Sequence, residues 1–249
     1  MSPYLAEFIG TAILILLGNG VVANVCLKKT KGNDAGWIVI AAGWGMAVAM
    51  GVLIANHVSG AHLNPAVTIG LAAIGKFDTA LIPGYLGAQM LGAIAGSCLV
   101  WLTYLPHWKE TKAPASIQAC FCTAPAIPHK LGNILAELIG TAMLVFGVLA
   151  IGTIKGELEA GETVALATFF GTAIAPMFVG LLVFAIGMSL GGPTGYAINP
   201  ARDLGPRIAH AILPIIGKGG SNWGYAWIPI VGPIAGGVIG AVAYQSLGF

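Results

Sequence analysis

The sequence predicts an all-α membrane protein with six transmembrane helices and two re-entrant half-helices, arranged as an inverted repeat. Three observations carry this. First, the 249 residues are 57% hydrophobic and 8% charged, with a mean hydropathy of +0.88, where soluble domains carry roughly 25% charge. Eleven Lys and Arg with nine Asp and Glu are too few to cover a 25.3 kDa body in water. Second, six apolar stretches reach the ~20 residues that a ~30 Å hydrocarbon core requires. Third, Ala6-Glu7-Phe8-Ile9-Gly10-Thr11-Ala12-Ile13-Leu14-Ile15 recurs as Ala136-Glu137-Leu138-Ile139-Gly140-Thr141-Ala142-Met143-Leu144-Val145, identical at seven of ten positions and offset by 130.

The same figures exclude other classes. Disordered chains are poor in apolar residues, and the 37 glycines show no three-residue period. A net charge of +2 gives no footprint for nucleic acid. Cys26, Cys98, Cys120 and Cys122 are not a disulfide framework in a chain this long. Cys120 and Cys122 form a lone C-x-C without a His/Cys cluster, so no metal and no cofactor is expected. There is no H-E-x-x-H, no P-loop and no nucleophile elbow, hence no enzyme signature and no ATP coupling.

Along the chain, Tyr4–Leu27 reads as a first span, since Met1-Ser2-Pro3 lacks the cationic region of a cleaved signal peptide. The polar run Lys28–Asp34 separates it from Gly36–Asn56. Ala80–Tyr104 is the third span, followed by Leu105–Leu131, whose four prolines predict a loop. Gly132–Ile154 and Thr163–Met188 flank a polar connection, Lys155–Glu162, and Ala226–Leu247 is the sixth span. Small residues at Gly92 and Gly96, and at Gly232, Gly236 and Gly240, fall at the spacing that lets helix backbones approach closely.

Two connections, His57–Thr79 and Ser189–Tyr225, are too apolar for water. Each contains Asn-Pro-Ala followed by a helix-compatible run: Asn64-Pro65-Ala66 and Asn199-Pro200-Ala201, offset by 135. Ten to twelve helical residues reach about 15–18 Å, half of the membrane core. Re-entrant half-helices surrounded by protein or a wet cavity resolve this. Three spans per copy invert the second copy. The repeats cover approximately 1–105 and 132–249 of a single transmembrane domain, 1–249, and such repeats place a substrate site near the midplane.

The triplets carry chemistry. Asn caps a helix through its side-chain oxygen, and Pro follows at no loss of a needed donor. The Asn NH₂ groups and the two positive helix ends then face a passing water or hydroxyl and repel a cation. Arg202 follows Asn199 by three residues, on the same helix face and about 4.5 Å further along. A charge there is costly unless it lines water and finds partners. Glu7 and Glu137 occupy equivalent repeat positions inside helices. His62 precedes the first triplet, and it and His57 read as polar packing.

On these residues the chain resembles the aquaporin superfamily (major intrinsic proteins) and, within it, the glycerol facilitators, or aquaglyceroporins. The resemblance spans essentially the whole chain and is strongest in Ser59–Thr68 and Gly195–Asp203. It implies an aquaporin-like fold, a homotetramer with one pore per subunit, and both termini in the cytoplasm of a cell whose plasma membrane holds the chain. It implies a passive channel for small uncharged solutes, chiefly glycerol and with it water, excluding ions and protons. Its partners are those solutes and the lipid bilayer.

The resemblance also implies a four-residue selectivity filter: Trp44, Gly187, Tyr196 and Arg202. Gly187 stands where water-selective members carry His, and is expected to widen the constriction. Trp44 and Tyr196 are expected to form an apolar corner with Arg202 opposite. Tyr196 replaces the usual Phe, adding bulk and a hydroxyl. Asp203 matches the glycerol subgroup and is expected either to anchor the loop bearing Arg202 or to serve as a plain salt-bridge partner with no effect on selectivity. Glu7 and Glu137 are expected to accept hydrogen bonds from re-entrant backbone. The alternatives are a mainly water-selective channel, and a proton-coupled transporter using Glu7 or Glu137 as a relay.

Charge counting points the other way on orientation. Connections one, three and five hold Lys28, Lys29, Lys31, Lys109, Lys112, Lys130, Arg202, Arg207 and Lys218, against Lys76 and Lys155 elsewhere. Taken literally, the positive-inside rule puts both termini outside. The family orientation is preferred here, because the long proline-rich loop weakens the rule and the two re-entrant arginines are expected to lie in the pore.

Overall fold

The computed structural model describes residues 1–160 and 164–248, with residues 155–160 described by backbone alone. All regular structure among the described residues is helical. α1 (Pro3–Cys26) starts on Ser2, whose Oγ accepts the Leu5 amide at 3.2 Å. α2 (Trp37–Ser59) ends on Gly60, whose φ of 78° is the left-handed geometry of a helix stop. α4 (Ile82–Thr103) follows a short turn, Thr79–Leu81, capped by Asp78. α7 (Lys130–Ala160) is the fourth crossing. The fifth is composite: α8 (Val164–Phe169), a π turn (Phe170–Ile174) and α9 (Ala175–Leu190). α11 (Ile228–Ser246) is the last. These six crossings are each long and apolar enough to traverse a bilayer, which makes this a multi-pass membrane protein. Large apolar side chains face outward, among them Leu91 at 61%, Phe169 at 57% and Ile139 at 52% exposure.

The two half-helices are α3 (Pro65–Ala73, 9 residues) and α10 (Pro200–Ile212, 13 residues), so α3 reaches only about 14 Å. α3 packs on α11, and α10 packs on α4. Glycine makes these contacts possible. A Cβ on Gly70 would lie 2.7 Å from the Gly237 carbonyl oxygen, and one on Gly205 2.6 Å from the Ala93 methyl. The glycine series in α11 faces α7: a Cβ on Gly232 would meet the Glu137 Cβ at 2.8 Å, and one on Gly240 the Ala142 Cα at 2.9 Å. Gly92 and Gly96 seat α4 on the α1 backbone in the same way.

The structure departs from the sequence reading in two connections. α7 continues to Ala160, through most of the Lys155–Glu162 segment read as a connection; Glu162 and Thr163, the first residue expected of the fifth span, lie outside the described residues, as do the side chains of Lys155 and its neighbours. The proline-rich segment read as a loop folds inward. It forms α5 (Leu105–Trp108) and α6 (Pro114–Ala119) and buries Ile117, Cys120, Phe121 and Cys122. Pro106 and Pro114 open those helices instead of excluding them. Asn19 of α1 donates to the Phe121 carbonyl at 3.2 Å, and the Phe121 ring lies 5.6 Å from Trp108 and 5.4 Å from His210.

Candidate functional site

α3 and α10 meet at their N-termini. Asn64 Oδ1 accepts the Ala66 amide at 2.9 Å, and Asn199 Oδ1 accepts those of Ala201 and Arg202 at 3.0 and 3.2 Å. Each NH₂ then crosses to the other half: Asn64 Nδ2 donates to the Ile198 carbonyl, and Asn199 Nδ2 to the Leu63 carbonyl, both at 2.8 Å. The sequence reading left both NH₂ groups free. One N–H of each is committed, and the second remains for another acceptor. This reciprocal exchange fixes Pro65, Ala66, Pro200 and Ala201, all buried, at the start of their half-helices.

The backbone entering each half-helix is strained in the same pattern. Ala61 and Leu63 have φ of 48° and 50°, and Tyr196 and Ile198 have 38° and 42°. Left-handed conformations at non-glycine residues cost of order 1–3 kcal/mol each and persist only where the surroundings over-determine them. Buried carboxylates do so here. Glu7 accepts the amides of His62 and Leu63 at 2.9 and 2.7 Å, and Glu137 accepts those of Ala197 and Ile198 at 2.9 and 2.8 Å. Glu7 also accepts from Ser59 Oγ at 2.6 Å and Gln89 Nε2 at 2.8 Å. His62 sits in an aromatic and polar nest, its Nδ1 3.1 Å from Thr68 Oγ1 and its ring 4.6 Å from Phe77.

Both asparagines line a cavity of about 270 Å³. Its walls are ladders with four-residue spacing, one rung per helical turn. α2 contributes Trp44, Val48, Val52 and Asn56; the fifth crossing contributes Val183, Val179, Ala175 and Gly171. Between Trp44 and Asn56 the wall runs about 18 Å. Arg202, Trp44 and Tyr196 line the end nearest α10, and Asn56, Gly152 and Gly171 line the other.

At the Arg202 end the geometry corrects two expectations. The guanidinium does not face Trp44 across a gap; its Cζ lies 4.0 Å from the indole centroid, stacked on the ring. The reason is that Asp203, the neighbouring carboxylate, is already taken by Arg207, so the buried cation settles on an aromatic face. Gly187 does not leave open width either. A Cβ there would lie 2.7 Å from Tyr196 Cζ and 2.8 Å from its hydroxyl. The tyrosine ring occupies the space the glycine vacates. Trp37 holds this arrangement, donating from Nε1 to the Gly187 carbonyl at 2.9 Å and meeting Tyr196 edge-on at 5.8 Å. Among the described residues, Trp44 Nε1, Tyr196 Oη and Arg202 Nη1 are buried with no hydrogen-bond partner. Three polar groups are thus gathered at this end, buried and unpartnered.

Asp203 is the joint of the segment that carries Arg202. It accepts Thr123 N at 2.8 Å, Thr123 Oγ1 at 2.7 Å and Arg207 Nε at 2.8 Å. Arg207, fully buried, also donates to the carbonyls of Thr123 at 2.9 Å and Ser221 at 2.7 Å, so it is packed behind the cavity wall and is not the pore arginine expected from the sequence. Sequence reasoning placed Asp203 here but missed Arg207, Thr123, Trp37, Asn56 and Gly171. Arg207 had a legible signal, as a carboxylate's partner one helical turn on. No His, Cys, Asp or Glu cluster among the described residues could hold a metal.

Paired half-helices capped by crossed asparagines, at the centre of six membrane crossings, define a membrane channel class. The sequence profile of that class matches: residues 1–244 fit the family described as Major intrinsic protein, and the chain belongs to it. Its relatives include a "Probable glycerol uptake facilitator protein" of Thermotoga maritima, 58% identical over 99% of this chain and 100% of that one. A "Glycerol uptake facilitator protein" of Bacillus subtilis is 53% identical, over 99% of this chain and 85% of that one. Among solved structures, the aquaglyceroporin from Plasmodium falciparum matches with a TM-score of 0.81 at 34% identity, over 98% of this chain and 95% of that one. The aquaporin-like fold expected from the sequence is therefore the fold of this protein.

Proposed function

We propose that the chain is a passive channel for small uncharged solutes, chiefly glycerol together with water, that excludes ions and protons. The observation that carries this reading is the cavity: apolar ladders, two crossed asparagines lining it, and an arginine without an ion pair among the described residues at one end. Apolar walls suit the C–H side of a polyol, and aligned donors suit its hydroxyls. Two helix N-termini and a guanidinium oppose cations. The names of the relatives from T. maritima and B. subtilis favour glycerol over water as the principal solute. In this reading Asn64, Pro65, Ala66, Asn199, Pro200 and Ala201 form the central pore motif, and Trp44, Gly187, Tyr196 and Arg202 the filter. Glu7, Glu137, His62 and Asp203 support them.

The chain is read as one channel domain of two inverted repeats, about 1–105 and 132–249, forming a homotetramer in the plasma membrane with both termini in the cytoplasm. A water-selective channel is the second reading, favoured by the ring of Tyr196 standing in the space beside Gly187. A proton relay through Glu7 or Glu137 is disfavoured, because both carboxylates are buried and committed to backbone amides. Uptake of labelled glycerol into proteoliposomes, with and without an imposed pH gradient, tests the passive claim. The internal concentration is expected to rise to the external one in both cases; accumulation above it driven by the gradient would replace the channel with a coupled transporter.

A further inference from the structure

The end of the cavity remote from Arg202 has its own polar pair, and its origin is in the sequence. In the π turn, the Ala175 amide donates to the Phe170 carbonyl, five residues back. The same register would pair the Gly171 carbonyl with residue 176, which is Pro176 and has no N–H. The Gly171 carbonyl is left over, and Asn56 of α2 reaches it: Nδ2 donates at 2.7 Å. Both residues line the cavity as the last rungs of their ladders. Asn56 Oδ1 takes no hydrogen bond among the described residues and is not among their sealed, unpartnered polar atoms, so it keeps some exposure on a residue that lines the cavity. Gly152 also lines the cavity, and a Cβ there would meet nothing within 4 Å.

We propose that Asn56, held by Gly171, is a second specificity-determining group of this pore, which receives a hydroxyl of a polyol about 18 Å from Trp44. The proposal deepens the channel reading and rests on it. Its chemistry complements the other stations. Arg202 offers only donors, and Asn64 and Asn199 have their side-chain oxygens committed to capping. Asn56 offers an open acceptor beside a remaining N–H, the pairing that a hydroxyl, donor and acceptor at once, can use in full. A polyol leaving water at this end exchanges hydrogen bonds there before entering the apolar ladders. A single water has less to lose, because it fits the passage with its own neighbours in file.

The test is stopped-flow light scattering on proteoliposomes holding wild-type protein, Asn56→Leu, Asn56→Ser and Gly152→Val, reading glycerol and water permeability separately. Asn56→Leu keeps the size and removes the acceptor; glycerol permeability is expected to fall about two- to tenfold, the worth of one hydrogen bond, with water permeability nearly unchanged. Asn56→Ser, too short to reach Gly171 but polar, should lie between. Gly152→Val, projecting into open space, should slow glycerol more than water. If both permeabilities fall in proportion, or neither moves, in variants that match the wild type in thermal stability, Asn56 only satisfies the Gly171 carbonyl and the proposal is overturned. If Asn56→Leu does not fold, Asn56→Ser and Gly152→Val decide the matter by the same ratio. Absence of glycerol flux in the wild type itself would sink the channel reading, and is read before any variant.

Discussion

At the scale of single residues, the buried charges sort by whether they have partners. Arg207 and Asp203 are both fully buried and paired at 2.7 Å. Their mutual neutralisation leaves Arg202, one residue along, as the cation at the cavity end with a buried, unpaired N–H. Removing one member of a buried pair strands the other and costs about 3–5 kcal/mol. Asp203→Asn is therefore expected to lower the thermal midpoint of the purified protein markedly, and to loosen the segment that Thr123 holds. A midpoint within a degree of wild type would contradict this role. Where the pair is on the surface the logic changes. Lys29 lies 2.6 Å from Glu110 and draws its carboxyl below the usual carboxylate range, but exposed pairs of this kind contribute little to stability.

At the scale of elements, close backbone approach is what glycine supplies, and its placement discriminates. A Cβ on Gly240 would press on the Ala142 backbone, while one on Gly87 in α4 would meet nothing within 4 Å. Gly240→Val should destabilise by about 1–3 kcal/mol through overpacking. Gly87→Ala should stabilise slightly, by up to about 1 kcal/mol, from helix propensity. Equal effects of the two on thermal unfolding would mean that the α7–α11 contact is not limited by glycine. The elements were largely legible in the sequence. Hydropathy set the crossings to within a few residues, and the Asn-Pro-Ala triplets marked the half-helices through capping chemistry that is local. The inward fold of Leu105–Leu131 was not legible, because prolines signal helix starts and turns alike, and the donor that satisfies the Phe121 carbonyl is 102 residues away. The π turn escaped for the same reason: Pro176 was visible, but the amide that compensates for it lies on α2.

At the scale of the whole molecule, the sequence named residues that the structure brings together around one cavity, but only part of their geometry. The repeat placed Glu7 beside Glu137 in role, and each carries its own re-entrant loop. The stacking of Arg202 on Trp44 and the filling of Gly187 by Tyr196 follow from approaches among α2, α9 and α10 that no spacing encodes. Charge is distributed unevenly over the ends of the bundle. Lys28, Lys29, Lys31, Lys109 and Lys112 gather at the end that also holds Trp37, joined there by the Lys28 amide donating to Thr111 Oγ1 at 3.0 Å. That crowding is where the positive-inside count and the family orientation collide, and nothing in the packing explains it. The central claim, a selective polyol passage, meets its most direct test in stopped-flow light scattering of proteoliposomes given a glycerol gradient and, separately, an impermeant sucrose gradient. Rapid shrinkage followed by rapid re-swelling in glycerol, with the re-swelling altered by Arg202→Ala or Trp44→Ala in folded protein, is the expected result. Rapid shrinkage in sucrose with no accelerated re-swelling in glycerol would make this a water channel and contradict the account.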